Sequence, residues 1–429
     1  MSDVGFVRQD MLPEQEPPAS TIGAIGWMRE NLFSGWVNTV VTILFSIIIV
    51  YIVMGLLGWA LSPTWAAQSL AECREMAGTD HGKACWGVIR DRWFQLLFGF
   101  YPVGSVWRPI LTFVLLIAAL APVLFSHVDR RLLWLTAAFP FLMPWLLWGG
   151  TIWGPIVVAA GVVIGVFVYR FAEPVAGSLA AIILAPVAAI IWWFLIAGPV
   201  SDGLASVVGL GLEPVASRDF GGFMLSITIG VVAIACSLPL GIVLALGRQS
   251  DLMIVKSLCV GFIEFIRGVP LITLLFVAST LLNIFMPPGT NFDIILRVMI
   301  MATLFSAAYM AEVIRGGLAA LPTGQYEGAD SLGLNYWQAQ RLIIMPQALK
   351  ISIPGIVSTF IGMFKDTTLV SVIGLLDPLG VSQGIRSNQE WSGIVWELYG
   401  FTALMFFVFC FSMSRYSMYL ERKLQTGHR

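Results

Sequence analysis

Charge is what this sequence lacks. Of 429 residues only 11% are Asp, Glu, Lys or Arg, against 58% hydrophobic, and the mean hydropathy is +0.86. A soluble domain carries about 25% charged residues. This chain therefore has too little polar surface to face water on all sides, and the bilayer is the solvent that fits it. Histidine is scarce as well. The three present, His81, His127 and His428, fall in loops or the tail, which leaves no Cys/His cluster for metal chemistry and no partner for a serine nucleophile inside the apolar runs. GxxxxGK[ST] and HExxH are absent, so the chain brings neither a phosphate-binding loop nor a zinc-protease helix. A net charge of −1 says nothing of partners, because in membrane proteins the distribution of Lys and Arg is informative and the sum is not. Cysteine is limited to five. Cys236, Cys259 and Cys410 lie in apolar runs, where the simplest role is small apolar packing. Cys73 and Cys85 share one long polar segment; in an oxidising compartment they are a disulfide candidate, and two separate thiols are the other reading.

What is present is a series of apolar runs, each long enough as helix to cross the ~30 Å of hydrocarbon. They are Thr39–Leu61, Trp107–Phe125, Leu132–Trp148, Ile152–Tyr169, Ala176–Ala197, Phe220–Gly247, Leu258–Leu282, Ile294–Ile314, Ile351–Leu375 and Ile394–Tyr416. The expectation is an all-α polytopic membrane protein of about ten spans, since continuous runs of this length exclude a barrel. The first run starts too late and is too long for a cleaved signal peptide. Tryptophans near span ends (Trp36, Trp59, Trp107, Trp148, Trp192, Trp193) read as an interfacial belt. "HVDRR" (His127–Arg131), Arg170, Arg248 with Lys256, Arg315, Arg341 with Lys350 and the tail "SRYSMYLERKLQTGHR" all fall on one side if spans alternate. The positive-inside rule then expects both termini in the cytoplasm.

Polar signals inside the apolar half are unevenly spread. Up to about residue 200 the runs carry almost none. Beyond Phe220 come "EFIRGVPL" (Glu264–Leu271), "AAYMAEVIRGG" (Ala307–Gly317) and "KDTTLVSVIG" (Lys365–Gly374). An ionisable group at mid-bilayer costs about 2.5–3.5 kcal/mol on insertion scales, so it faces a pathway or a partner. Glu264 and Arg267 stand one turn apart; they either line a substrate path or neutralise each other at i,i+3. Glu312, with Tyr309, stands one turn before Arg315, where a path role competes with snorkelling to the interface. Lys365 and Asp366 are adjacent and project about 100° apart, so they cannot pair along one helix face; Thr367 and Thr368 follow as hydrogen-bonding support.

The segment "QYEGADSLGLNYWQAQRLIIMPQALK" (Gln325–Lys350) is different: small, polar and helix-forming. Pro322 and Thr323 read as a helix start with Thr323 as N-cap, and Glu327 and Asp330 suit the first turns. Tyr326, Ala329, Leu332 and Gly333 share one face, opposite Glu327, Asp330 and Ser331. Gly333 is a natural terminator, and Asn335 with Gln338 makes a capping box. The expectation is two short helices bent at Gly333, with Pro346 ahead of the next span. Its acidic face and small apolar face suit a socket on a soluble partner better than a lipid surface, where a Lys-rich helix with large anchors belongs.

"EGADSLG" followed by "RLIIMPQAL" resembles the EAA loop of ABC-importer permeases: Glu-Ala-Ala-x-x-x-Gly, then nine residues to an apolar-x-x-Pro run. Glu327, Gly328, Ala329 and Gly333 occupy the motif positions, with Gly328 where Ala is commoner. The flanking motifs are similar to the polar amino acid subfamily over about Gly221 to Tyr419. With added N-terminal helices, the chain resembles the general L-amino acid permease type. The resemblance implies a type I ABC importer permease core in a bacterial inner membrane. It implies that Tyr326, Glu327, Gly328, Ala329, Leu332, Gly333 and Pro346 couple to an ABC ATPase dimer that binds ATP and Mg, this chain holding no cofactor and catalysing nothing. It further implies a second permease subunit, a periplasmic amino-acid-binding protein, and a translocation path near Glu264, Arg267, Tyr309, Glu312, Lys365, Asp366 and Thr368. The organisation it suggests is a cytoplasmic segment 1–38, accessory helices 39–200 with a long loop 62–105, a connection 201–219, a core 220–419 with the coupling loop 320–346, and a tail 420–429. An ion-gradient-driven transporter is the alternative; inverted repeats and broken helices in both halves would mark it, and no repeat is visible.

Overall fold

The computed structural model describes residues 23–62, 64–78, 82–281 and 292–424. Residues 1–22 of the expected N-terminal segment, His81, most of "NIFMPPGTNFD" and the tail beyond Leu424 with His428 lie outside the described residues. The chain forms two compact units, Met1–Gly87 and Val88–Arg429.

In the first unit, α1 (Gly23–Asn31) precedes α2 (Trp36–Ala60), a 25-residue helix without one buried side chain. Such a helix has nothing to gain from water and is built for hydrocarbon. Its end is tied by aromatic packing: the Trp86 indole N–H donates to the Ala60 carbonyl at 2.7 Å, stacks on Trp65 and meets Trp59 edge-on. The expected loop from residue 62 is partly helical, with α3 (Leu70–Ala77) capped by Ser69, whose hydroxyl accepts from the Glu72 amide. Cys73 and Cys85 are both buried and joined as a disulfide, with Cα atoms 6.0 Å apart.

The second helical segment of that same expected loop is α4 (Gly87–Phe98). In the second unit, α5 (Trp107–Leu124) and α6 (Leu133–Trp148) match their apolar runs. The fourth and fifth runs are longer than expected, Trp153–Ser178 (α7) and Ala180–Val207 (α8). They meet at Gly177, whose φ of +84° breaks the helix. The Trp192 and Trp193 indoles donate back to the Val157 and Val158 carbonyls at 2.8 and 3.0 Å, so the two helices run antiparallel as a hairpin. Trp192, and Trp148 stacked on Phe220 at 4.5 Å, are half-buried packing groups and not only belt residues. The helix through Val207 also shortens the connection expected from residue 201; the irregular stretch begins at Val208 and pairs Gly211–Leu212 with Gly150–Thr151.

The remaining elements are α9 (Gly222–Gln249), α10 (Met253–Gly268), α11 (Leu271–Phe276), α12 (Ile294–Ala319), α13 (Gly324–Ser331), α14 (Tyr336–Ile373), α15 (Pro378–Arg386) and α16 (Trp396–Leu424). Among the described residues nine helices are long and apolar enough to cross a membrane. The seventh run, expected as the continuous span Leu258–Leu282, is instead broken: Met253–Gly268 and Leu271–Thr280 meet at 103°. Gly268, Val269 and Pro270 explain the bend, since Gly holds helix poorly and the residue before Pro avoids the α region; Val269 is extended at φ −112°, ψ 132°. Helix α12 is the most buried span. Around it lie two apolar clusters, one holding Phe220, Met224, Ile229, Leu271 and Val298, the other Ala245, Ile263, Met310, Ile314, Ile344 and Ala348.

Candidate functional site

The polar segment after α12 folds as a knob. Helix α13 starts after Thr323, but that residue is itself helical and its hydroxyl makes no capping bond, which corrects the expected N-cap. The helix ends on a Schellman motif: the Gly333 amide donates to Asp330 at 2.9 Å and the Leu334 amide to Ala329 at 3.2 Å. That geometry requires a left-handed residue at Gly333, which has φ +69°. Asn335 then caps the next turn in a full capping box, its side chain accepting from the Gln338 amide while Gln338 accepts from the Asn335 amide. Ala329 is buried, and Tyr326 is half-buried against the apolar cluster that holds Ile314 and Ile344; burial pushes the Tyr326 phenol above its usual range. Glu327, Gly328 and Asp330 are exposed.

Two expectations about the knob change. Leu332 does not join the inner face; it is 73% exposed, beside exposed Tyr336 and Trp337. The second short helix is not separate either. It continues from Tyr336 into the span through a π-turn at Gln340–Ile344. Pro346 has no N–H to give the Leu342 carbonyl, and the wider turn, with the Met345 amide bonded to Gln340, absorbs the defect. A bond missed in the sequence, from the Gln347 amide nitrogen to Gln325 Oε1 at 2.8 Å, fastens α13 to that span.

The second constellation lies where α9, α10 and α12 converge. Arg248 Nη1 reaches Glu312 Oε1 at 2.6 Å and Glu264 Oε1 at 2.9 Å. Arg315 Nε donates to Glu312 Oε2 at 3.0 Å, while Arg267 stands 3.8 Å from Glu312 and 3.9 Å from Glu264. The Arg267 guanidinium also lies over the Tyr309 ring, 5.6 Å from its centre. Three guanidiniums thus share two carboxylates, leaving one positive charge in excess. The network is wider than the i,i+3 pair read from the sequence. The i,i+3 pair Glu264–Arg267 is the longest contact in the set, and the cation central to it is Arg248 from another helix. Glu312 is the hub and is only 16% exposed, whereas the Glu264 side chain is 54% exposed.

Lys365, Asp366 and Thr368 do not join this cluster; among the described residues no hydrogen bond or ion pair of theirs reaches it. Lys365 is exposed, Asp366 half-buried, and the Thr368 hydroxyl donates to the Lys365 carbonyl at 2.9 Å. They sit where α14 tightens to a 3-10 helix, before left-handed Gly374.

Comparison with known proteins identifies the family. Residues 237–426 match the family model described as binding-protein-dependent transport system inner membrane component. The glutamate/glutamine/aspartate/asparagine transport system permease protein of Rhodobacter capsulatus is 59% identical over 100% of both chains. An inner membrane amino-acid ABC transporter permease protein of Escherichia coli K12 is 39% identical over 94% of each. A chain from the crystal structure of an amino acid ABC transporter with histidines aligns over 47% of this chain and 91% of its own, at 31% identity and a TM-score of 0.42. The knob, the broken span and the helices around them therefore fall within a common transport module, and the chain belongs to the family of binding-protein-dependent transport system inner membrane components.

Proposed function

We infer that this chain is the transmembrane permease subunit of an ATP-driven importer of L-amino acids, with glutamate, glutamine, aspartate and asparagine as the favoured class. The observation that carries the reading is the exposed knob Gly324–Ser331, rigidly terminated at Gly333 and fastened to two spans, on a chain whose full-length relatives are named as amino acid permeases. A stiff knob is a lever. A partner ATPase that binds ATP and Mg moves it, and α12 and α14 follow as rigid bodies between two packed arrangements. Glu327, Gly328, Ala329, Leu332 and Gly333 meet the ATPase, and Tyr326 and Pro346 transmit the movement.

A chain with one knob serves one groove of an ATPase dimer, so a second permease subunit completes the assembly and a soluble amino-acid-binding protein delivers the substrate. The half-exposed Glu264 on a spanning region supports this, since a carboxylate there is costly against lipid and is accommodated by a sister subunit or an aqueous path. Glu264, Arg267, Tyr309 and Glu312 border that path from one side, and Lys365, Asp366 and Thr368 from another. Both termini face the cytoplasm of a bacterial inner membrane, consistent with the basic residues on that side. The test is a cysteine at Leu332 carrying a short photocrosslinker in the assembled complex. The reading expects a crosslink to an ATP-hydrolysing subunit that changes in yield when nucleotide is trapped. Crosslinks to phospholipid alone would overturn it.

A further inference from the structure

A cavity of about 240 Å³ lies within the second unit between α5 and α6 on one side and α9 and α16 on the other, with Leu97 and Phe98 of α4 at one end. It belongs neither to the knob nor to the charged cluster. Its lining is aliphatic, aromatic and thioether apart from Thr112 and Thr228, and each of those hydroxyls is spent on the carbonyl one turn back, at Arg108 and Met224, both at 2.8 Å. Water needs two to four polar partners to reside in a cavity and finds no free donor here. An apolar cavity smaller than this, about 150 Å³, already takes up a benzene-sized ligand. Left empty, it would forfeit the dispersion contacts of its whole lining.

What can enter is decided by where the cavity opens. Ile110 and Phe113 line it and are 51% and 38% exposed on the outer face of α5, a helix of membrane-spanning length and composition. The mouth therefore faces the hydrocarbon layer, whose only abundant solute of this shape is a lipid tail. We propose that this cavity is a structural lipid site, holding one phospholipid acyl chain between the accessory helices α5–α6 and the permease helices α9 and α16. The chain replaces side-chain packing that Val231, Ile227 and Leu116 leave incomplete, and couples the accessory helices to the transport module through a non-protein wedge. Helix association in membranes rests on close packing rather than on hydrophobic exclusion, so an occupied wedge stabilises the contact and an absent one loosens it.

The test uses the complete transporter reconstituted with a phosphatidylethanolamine that carries a mid-chain diazirine, photolysed and mapped by peptide mass spectrometry. The expected label falls on Leu116, Ile227 or Val231, as well as on the bare helix α2, which serves as the internal standard for bulk lipid. Val231→Phe with Ile227→Phe, which fill the cavity, should lower labelling of its walls at least severalfold and leave α2 labelling unchanged. Walls left unlabelled in the wild-type complex while α2 is labelled would overturn the proposal. So would walls labelled in the isolated chain but protected in the complex, which would make a partner's side chain the occupant. The wild-type map decides even if the filled variants fail to fold.

Discussion

At the scale of single residues the sharpest dependence falls on Gly333. A Cβ there meets nothing within 4 Å, so any penalty is torsional and comes from φ +69° alone. Gly333→Val should cost about 1–2 kcal/mol locally and cut transport by misaiming the knob, while Gly333→Asn, which tolerates the left-handed region, should retain most uptake; equal loss in both would mean the backbone is not what matters. Arg248 is the second such residue. Removing it leaves two carboxylates without their shortest cation, and because the cluster is partly solvated the expected loss is about 1–3 kcal/mol, less than for a fully buried pair. A double-mutant cycle of Arg248→Ala with Glu312→Gln, read by thermal unfolding in detergent, should give clear non-additivity. Asp377 is the third. Wholly buried as the N-cap of α15, its carboxyl is pushed up from 3.8 to about 6 by burial, against the pull of the Gly380 and Leu379 amides. A folded-state pKa raised in this way means the contribution is complete below pH 3.8 and is lost as pH climbs through about 6, by about 3 kcal/mol in all. The Tm should fall between pH 4 and pH 7 on this account, and Asp377→Asn should flatten that slope.

Residue identity was readable where the chemistry is local. Gly333, Asn335 and Gln338 announce their geometry because caps and left-handed turns are settled within five residues. Arg248 did not, because its partner Glu312 lies 64 positions away, and one sequence read alone holds no signal for such a contact.

At the scale of elements, length and hydropathy located the spans well and failed at breaks. The bend between α10 and α11 was written in Gly268–Pro270, yet apolar residues on both sides masked it as one run. Likewise the span expected from Ile351 begins fifteen residues earlier, at Tyr336, because a π-turn lets a polar amphipathic turn pass into the span without a cap. Helix α4 was missed as an element, being amphipathic and too short to span. It grips the connection after α15: the Trp391 indole, fully buried, donates to Asp91 Oδ2 at 2.9 Å, and Arg92 pairs with Glu390 at 2.6 Å. Trp391→Ala should therefore cost about 3–5 kcal/mol and Trp391→Phe about 1–3 kcal/mol, the first losing nearly all the packing and the second the donor and part of the ring volume. Limited proteolysis of the 386–396 connection, accelerated strongly in the first variant and less in the second, checks the assignment.

At the scale of the whole molecule, the membrane setting follows from composition, since a chain this poor in charge has no other solvent, and the all-α polytopic fold follows from the length of its continuous apolar runs. The transport role did not follow from composition. It came from one polar elbow among apolar helices, and the family match over residues 237–426 covers both that elbow and the charged cluster. The first half of the chain carries no comparable motif, which is why sequence located its helices without assigning them a task. On the proposed reading this chain supplies a passage and a lever, and a partner subunit supplies the motor. The most direct measurement of that claim is glutamate uptake into proteoliposomes containing this chain, its sister permease, the ATPase and the binding protein, with ionophores collapsing every ion gradient. Uptake that requires ATP and all four components, persists with ionophores and disappears in Glu327→Lys is the predicted result. Uptake by this chain alone, driven by an ion gradient and indifferent to ATP, would contradict it.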